Sequence, residues 1–160
     1  MSVDGFRLRP LQSEDIPFVM STWLKSLWKA QGPFTTFRAS NGRARRYVSN
    51  TVFFAEHHRV ATDLLKRCGA IVAEVEGAED EIAGYMCAER KETVQGEQFV
   101  AHYVYVKPLY RKLGIARWLL EAAGWKPGED IVATHVTYVQ TDGKLTERFP
   151  IENNPYLIWR

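Results

Sequence analysis

Residues 99–123 read FVAHYVYVKPLYRKLGIARWLLEAA. The first part, taken with the residues before it as 97–106 (EQFVAHYVYV), is rich in aromatic and β-branched residues and predicts a strand. Pro108 ends it, and a short turn leads to a helix expected over 110–123, closed by Gly124 with Pro127 just beyond. A glycine at such a strand-to-helix crossing, here Gly114, lets backbone approach a ligand closely. Free N–H groups at a helix start favour an anion, and Arg111 and Lys112 add positive charge there. The stretch therefore predicts a seat for a pyrophosphate. Neither GxGxxG nor GxxxxGK[ST] is present, which sets aside those two phosphate-binding classes.

Working outward, residues 5–10 alternate as a half-buried strand, with Phe6 and Leu8 on one face and Arg7 and Arg9 on the other. Ser13, Glu14 and Asp15 supply the start of a helix whose apolar stripe runs Ile16, Val19, Met20, Trp23, Leu24, Leu27, Trp28. Residues 31–49 read as less regular, with a turn signal at Asn41-Gly42 amid Arg38, Arg43, Arg45 and Arg46. A second helix is expected from Asn50 to Cys68, stopped by Gly69. Strands follow at 70–76 and 81–92, separated by a polar turn over 77–80. Gly84 marks a bulge or close backbone approach, and Gln95-Gly96 a hairpin turn. After the helix come a strand at 131–139, an irregular stretch at 139–155 and a short strand at 156–160. Strands and helices mixed in one chain of 160 residues argue for a single α/β (α+β) domain spanning 1–160.

Composition narrows the class. The chain is 46% apolar and 25% charged, which excludes wholesale disorder. No apolar run is long enough to span a membrane, and the opening MSVDGFRLRP does not read as a secretory leader. Only Cys68 and Cys87 occur, so neither a disulfide framework nor a structural zinc site is expected, no metal ligands are assigned, and a reducing cytoplasm is the expected setting. A net charge of +2 neither demands nor excludes nucleic acid; the arginine cluster at 38–46 lacks the interleaved residues a base-stacking surface needs, so nucleic acid is not an expected partner.

Arg111-Lys112-Leu113-Gly114-Ile115-Ala116, following Val106-Lys107-Pro108-Leu109-Tyr110, resembles the signature of the GNAT family of N-acetyltransferases, R/Q-x-x-G-x-G/A after the fourth strand. The opening FRLRPLQSEDIPFV is similar to that family's first strand and helix, and the phrase WLKSLW at 23–28 is similar to GNAT-like proteins of bacteriophages. The resemblance implies a mixed, mostly antiparallel sheet of about six strands flanked by helices. The fourth and fifth strands, here 97–106 and 131–139, would splay around an acyl-CoA site. It implies that acetyl-CoA is the acetyl donor and a small-molecule or peptide amine the acceptor, attacking directly in a ternary complex. The chain would act as a monomer or homodimer, in the host cytoplasm if phage-encoded.

By the same resemblance, main-chain groups of Val104 and Val106 would hold the acetyl carbonyl and the pantetheine arm, with the Val104 N–H as oxyanion donor. The N–H groups of Arg111, Lys112, Leu113, Gly114, Ile115 and Ala116 would cradle the pyrophosphate. The family's usual carboxylate base falls at Val100, which cannot titrate. His102, two residues on, is the candidate base, since an imidazole ordinarily titrates near ~6.5. The family's general-acid tyrosine has no clear match, as Tyr138 comes early and Tyr156 late. That gap leaves a second reading, a non-catalytic module that binds CoA or a protein partner.

The remaining features read as structural. His57 and His58 are adjacent on a helix, point apart and lack metal-ligand spacing; His57 is expected partly buried and His58 exposed. His135 and both cysteines read as packing residues, Trp23, Trp28, Phe53 and Phe54 as core, and the arginine cluster as a solvated loop.

Overall fold

The computed structural model describes residues 1–31, 34–39, 42–47, 50–135 and 149–158, with side chains at 31–50, 79 and 156 left undescribed. Its strands are β1 (Phe6–Pro10), β2 (Phe34–Ala39), β3 (Gly42–Tyr47), β4 (Ile71–Val75), β5 (Ala78–Thr93), β6 (Gly96–Val106), β7 (Ile131–Ala133) and β8 (Ile151–Asn153). Its helices are α1 (Ile16–Gln31), α2 (Asn50–Cys68) and α3 (Ile115–Ala122). Six strands form one sheet in the order β1-β4-β5-β6-β7-β8. The pairs from β1 to β6 are antiparallel, and β6·β7 and β7·β8 are parallel. The expected mixed sheet flanked by helices is thus present.

Two cores cover the two faces. The stripes of α1 and α2 pack Val19, Trp23, Leu27, Phe53 and Leu64 against Val72, Tyr85, Cys87 and Tyr103. On the other face Ile115, Leu119 and Leu120 of α3 pack against Ala73, Met86, Phe99, Ala101 and Ile131. Alternate residues of one strand serve opposite cores, as period-two geometry requires. The tyrosine hydroxyls inside are paired: that of Tyr85 donates to Val19 O at 3.0 Å, and that of Tyr103 to Ser26 Oγ at 2.6 Å. Glu74, 1% exposed, bridges Arg7 and Arg9, and Arg9 reaches on to Asp15 at 2.6 Å, tying β1 to the start of α1.

Two irregularities shift the alternation. On β5, Ala73 pairs with Gly84 but Glu74 with Ile82. A Cβ at Gly84 would stand 2.5 Å from the Tyr105 carbonyl oxygen, the close approach expected there. On β6, Cys87 pairs with Tyr103 and Ala88 with Ala101, so His102 bulges without a partner in the register.

Several boundaries differ from the sequence reading. The irregular 31–49 holds an antiparallel hairpin, β2 with β3, closed by the pair Ala39–Gly42, so the arginine cluster sits on strands; its side chains lie outside the described ones. The polar turn over 77–80 is shorter, since β5 already begins at Ala78. The helix expected over 110–123 starts only at Ile115, because Lys112 and Gly114 hold positive φ values of 69° and 90° that a helix cannot include. The strand at 131–139 is paired only to Ala133, and 136–148 lie outside the described residues. The tail is no strand: Pro155–Ile158 form a 3-10 turn, and β8 instead falls within the stretch read as irregular.

Candidate functional site

At the end of β6 the Lys107 N–H donates to Ala83 O at 2.8 Å. Alternation then puts the main-chain groups of Val106 and Val104 on the other side of the strand, away from β5. A 3-10 turn over Pro108–Tyr110 follows, and Arg111 folds back so that its Nε donates to Val106 O at 3.0 Å. The chain then passes through left-handed Lys112 and Gly114 into α3, whose first helical bond runs from Trp118 N to Gly114 O at 3.0 Å. Among the described residues no group accepts from the amides of Lys112, Leu113, Gly114, Ile115 or Ala116. Ile115, fully buried, anchors the turn, while Leu113 is exposed. A Cβ on Gly114 would meet the Met1 Cε at 3.3 Å, and φ itself favours glycine. The loop therefore offers a row of free backbone donors at a positive helix end, which suits a diphosphate.

Beside that loop the described pairing of β6 with β7 ends. It covers Phe99–Ile131, Val100–Val132 and Ala101–Ala133, and a last bond joins Thr134 N to Ala101 O at 3.2 Å. Beyond it β6 runs on to Val106. A pocket lies there, lined by Tyr103 and Val104 of β6, Ile131 and Ala133 of β7, and Ala116 and Leu120 of α3.

His102 also borders this pocket but is 1% exposed and held at both nitrogens. Its Nε2 lies 2.9 Å from Glu89 Oε1, and its Nδ1 2.9 Å from Thr134 Oγ1. Thr134 Oγ1 is in turn 2.9 Å from His135 Nδ1, which is also 3.1 Å from His102 O. One proton assignment satisfies the chain: Nε2–H donates to the carboxylate, the threonine hydroxyl donates to Nδ1, and His135 Nδ1–H donates to the threonine oxygen. Burial, with His102 adding, pushes His135 down to about 3, so it stays neutral. Burial works against the Glu89 carboxylate, but His102 and Arg67 outweigh it and hold its pKa below the usual carboxylate value. Arg67 meets Glu89 Oε1 at 2.5 Å and anchors to Ile158 O at 2.9 Å.

The partners of His102 are the part of this site that sequence spacing hides. Glu89 of β5 and Thr134, just past β7, reach it directly, and Arg67 of α2 reaches it through Glu89. Cys68, the last residue of α2, also arrives beside it. The Cys87 thiol, with His102 adding, pulls Cys68 down to about 5. His57 is partly buried against Phe53 and His58 exposed, as expected. Tyr138 lies outside the described residues, as does the side chain of Tyr156.

Residues 66–148, more than half of the chain, match the family model described as acetyltransferase (GNAT) domain. No curated protein matches by sequence. Among solved structures, a Pyrococcus furiosus protein described as an acetyl transferase aligns at 17% identity and TM-score 0.55, covering 89% of this chain and 90% of that one. A Clostridium difficile 630 protein described as a possible acetyltransferase aligns at 14% identity and TM-score 0.51, covering 92% and 88%. These two likenesses concern the fold. No helix among the described residues is long and apolar enough to cross a membrane.

Proposed function

The chain belongs to the acetyltransferase (GNAT) family, and on that premise we propose that it is an N-acetyltransferase that passes an acetyl group from acetyl-CoA to a primary amine in a ternary complex. The observation that carries this reading is the row of free amides from Lys112 to Ala116 beside the pocket at the end of the described pairing of β6 with β7. Acetyl-CoA supplies an acetyl thioester; the rest falls to this chain. The loop binds the diphosphate through the main-chain N–H groups of Lys112, Leu113, Gly114, Ile115 and Ala116; the Arg111 N–H, expected among them, instead donates to Pro108 O at 3.3 Å. Arg111 serves mainly by bracing the end of β6, since its Nε already holds Val106 O. The outward main-chain groups of Val104 and Val106 orient the pantetheine arm, and the Val104 N–H steadies negative charge on the acetyl oxygen.

His102 acts as base together with Glu89, whose side chain is 21% exposed and gives the buried imidazole a route to the amine. The pair takes a proton from the incoming ammonium, the amine nitrogen bonds to the acetyl carbon, the carbon–sulfur bond breaks with its electron pair going to the CoA sulfur, and the second proton shed by the nitrogen ends on that thiolate, directly or through solvent. Holding both partners in place supplies much of the rate. The acceptor is a small-molecule or peptide amine, residues 1–160 work as one domain, and the setting is the cytoplasm.

Calorimetric titration with acetyl-CoA tests the seat, with Gly114→Glu alongside and its fold checked by circular dichroism. Micromolar binding lost in the folded variant is expected. No binding by the folded parent chain, or unchanged affinity in the variant, overturns the reading.

A further inference from the structure

The contact of α2 with β5 and β6 holds a second cluster of reactive groups. Cys68 Sγ, a carboxylate oxygen of Glu89 and a ring nitrogen of His102 all lie within 4.8 Å of one another. They come from the last residue of α2 and from neighbouring strands, so a rigid frame sets their spacing. We propose that Cys68, Glu89 and His102 form a binding site for a divalent cation of borderline softness, with Zn²⁺ as its best-fitting occupant.

The donor set selects the ion. Thiolate and imidazole suit Zn²⁺ and disfavour Mg²⁺ and Ca²⁺, which take oxygen. Tetrahedral Zn²⁺ places such ligand atoms on the order of 3.5 Å apart. The existing triangle, with its atoms within 4.8 Å of one another, has to close by roughly an ångström at most to reach that spacing. The ion takes the place of the proton on His102 Nε2; the ring then carries its proton on Nδ1, which donates to Thr134 Oγ1, the outer-shell hydrogen bond that fixes a metal-binding imidazole. Arg67 and His102 both meet Oε1 of Glu89, so Oε2 remains available as the ligand atom. One thiolate and one carboxylate neutralise the ion, and a fourth position stays for water or for Cys87, packed in the same core. Cys68 is half-buried and Glu89 21% exposed, which gives an entry path from the C-terminal end of α2.

The cation would occupy the nitrogen that the proposed base uses. Metal and proton transfer are then mutually exclusive, and Zn²⁺ acts as an inhibitor of acetyl transfer.

Co²⁺ is the spectroscopic probe. The full chain is reduced, stripped with a chelator, and titrated with Co²⁺, then with Zn²⁺. A thiolate-to-cobalt charge-transfer band with one-to-one stoichiometry is expected, abolished by Zn²⁺. The band should vanish in Cys68→Ser and His102→Gln, weaken roughly 10-fold in affinity in Thr134→Ala, and persist in His58→Gln. On the unmutated chain, Zn²⁺ should slow alkylation of Cys68, read by mass spectrometry. Absence of the band in the folded, reduced parent chain overturns the site. So does a band indifferent to Cys68→Ser, or alkylation indifferent to Zn²⁺. A band present without inhibition of transfer supports the metal site and removes His102 from the base role.

Discussion

Glu89 stands directly across from Val100 in the register of β5 and β6, and its Oε1 reaches forward to His102 Nε2 at 2.9 Å. The family resemblance leads one to seek a carboxylate at Val100, and a carboxylate lies across from that position on the neighbouring strand. Val100 and His102 are two residues apart and share a face, which is the face of Glu89.

Glu89→Gln keeps the shape and removes the carboxylate charge that lies 2.9 Å from His102 Nε2. Under chelator, kcat should fall roughly 10²-fold or more while KM for acetyl-CoA stays unchanged. Steady-state kinetics would read this. A parallel rise in KM for acetyl-CoA would point to a structural role instead.

Gly114→Ala adds a methyl at φ +90°, 3.3 Å from the Met1 Cε. Strain at a left-handed position costs about 1–2 kcal/mol. Thermal melting should show a modest loss of stability, and acetyl-CoA should bind more weakly than that strain alone explains. Equal affinity for parent and variant would mean that the loop amides do not hold the phosphates.

Glu74 links stability to pH. Arg9 chiefly, with Arg7, holds its carboxyl below the usual carboxylate range despite burial. A depressed folded value means that this stability is complete above the ordinary carboxylate range and is lost as pH falls through the folded value. Glu74→Gln should cost about 3 kcal/mol near neutral pH and make the denaturant midpoint less sensitive to acid.

His135 works in the same direction for a different reason. Its folded value of about 3 keeps the ring neutral, whereas the unfolded ring takes a proton near the ordinary imidazole value of 6.5. Folding stability from this group is complete above the unfolded value and drains away as pH falls towards the folded one. His135→Asn should flatten the stability profile over that window. An unchanged slope would show that the ring titrates freely in the folded state.

The stretch around Gly114 was legible because local chemistry fixes it: aromatic strand, proline stop, glycine crossing and apolar helix. The helices α1 and α2 were equally plain, since Trp23, Leu27, Leu64 and their neighbours keep helical spacing. The hairpin β2·β3 was not, because FTTFRA and GRARRY carry too few apolar positions to alternate against a core. The environment of His102 was hidden for a different reason. A bulge has no composition signature, and Arg67, Cys68, Glu89 and Thr134 meet only through tertiary packing. The tail misled because aromatic content at 156–160 favoured a strand, while Pro155 nucleates a turn.

β7 joins β6 through three paired residues and β8 through three, the β8 pairs being Ile131–Ile151, Val132–Glu152 and Ala133–Asn153. Six strands thus hang together through a seam far narrower than the long ladder of β5 and β6. Such a seam is the place where a sheet opens first in local fluctuations. A molecule lodged in the pocket beside it would act as a staple across the weak flank. Its arrival would then register as slowed amide exchange at Val132, Glu152 and Asn153, which do not line that pocket.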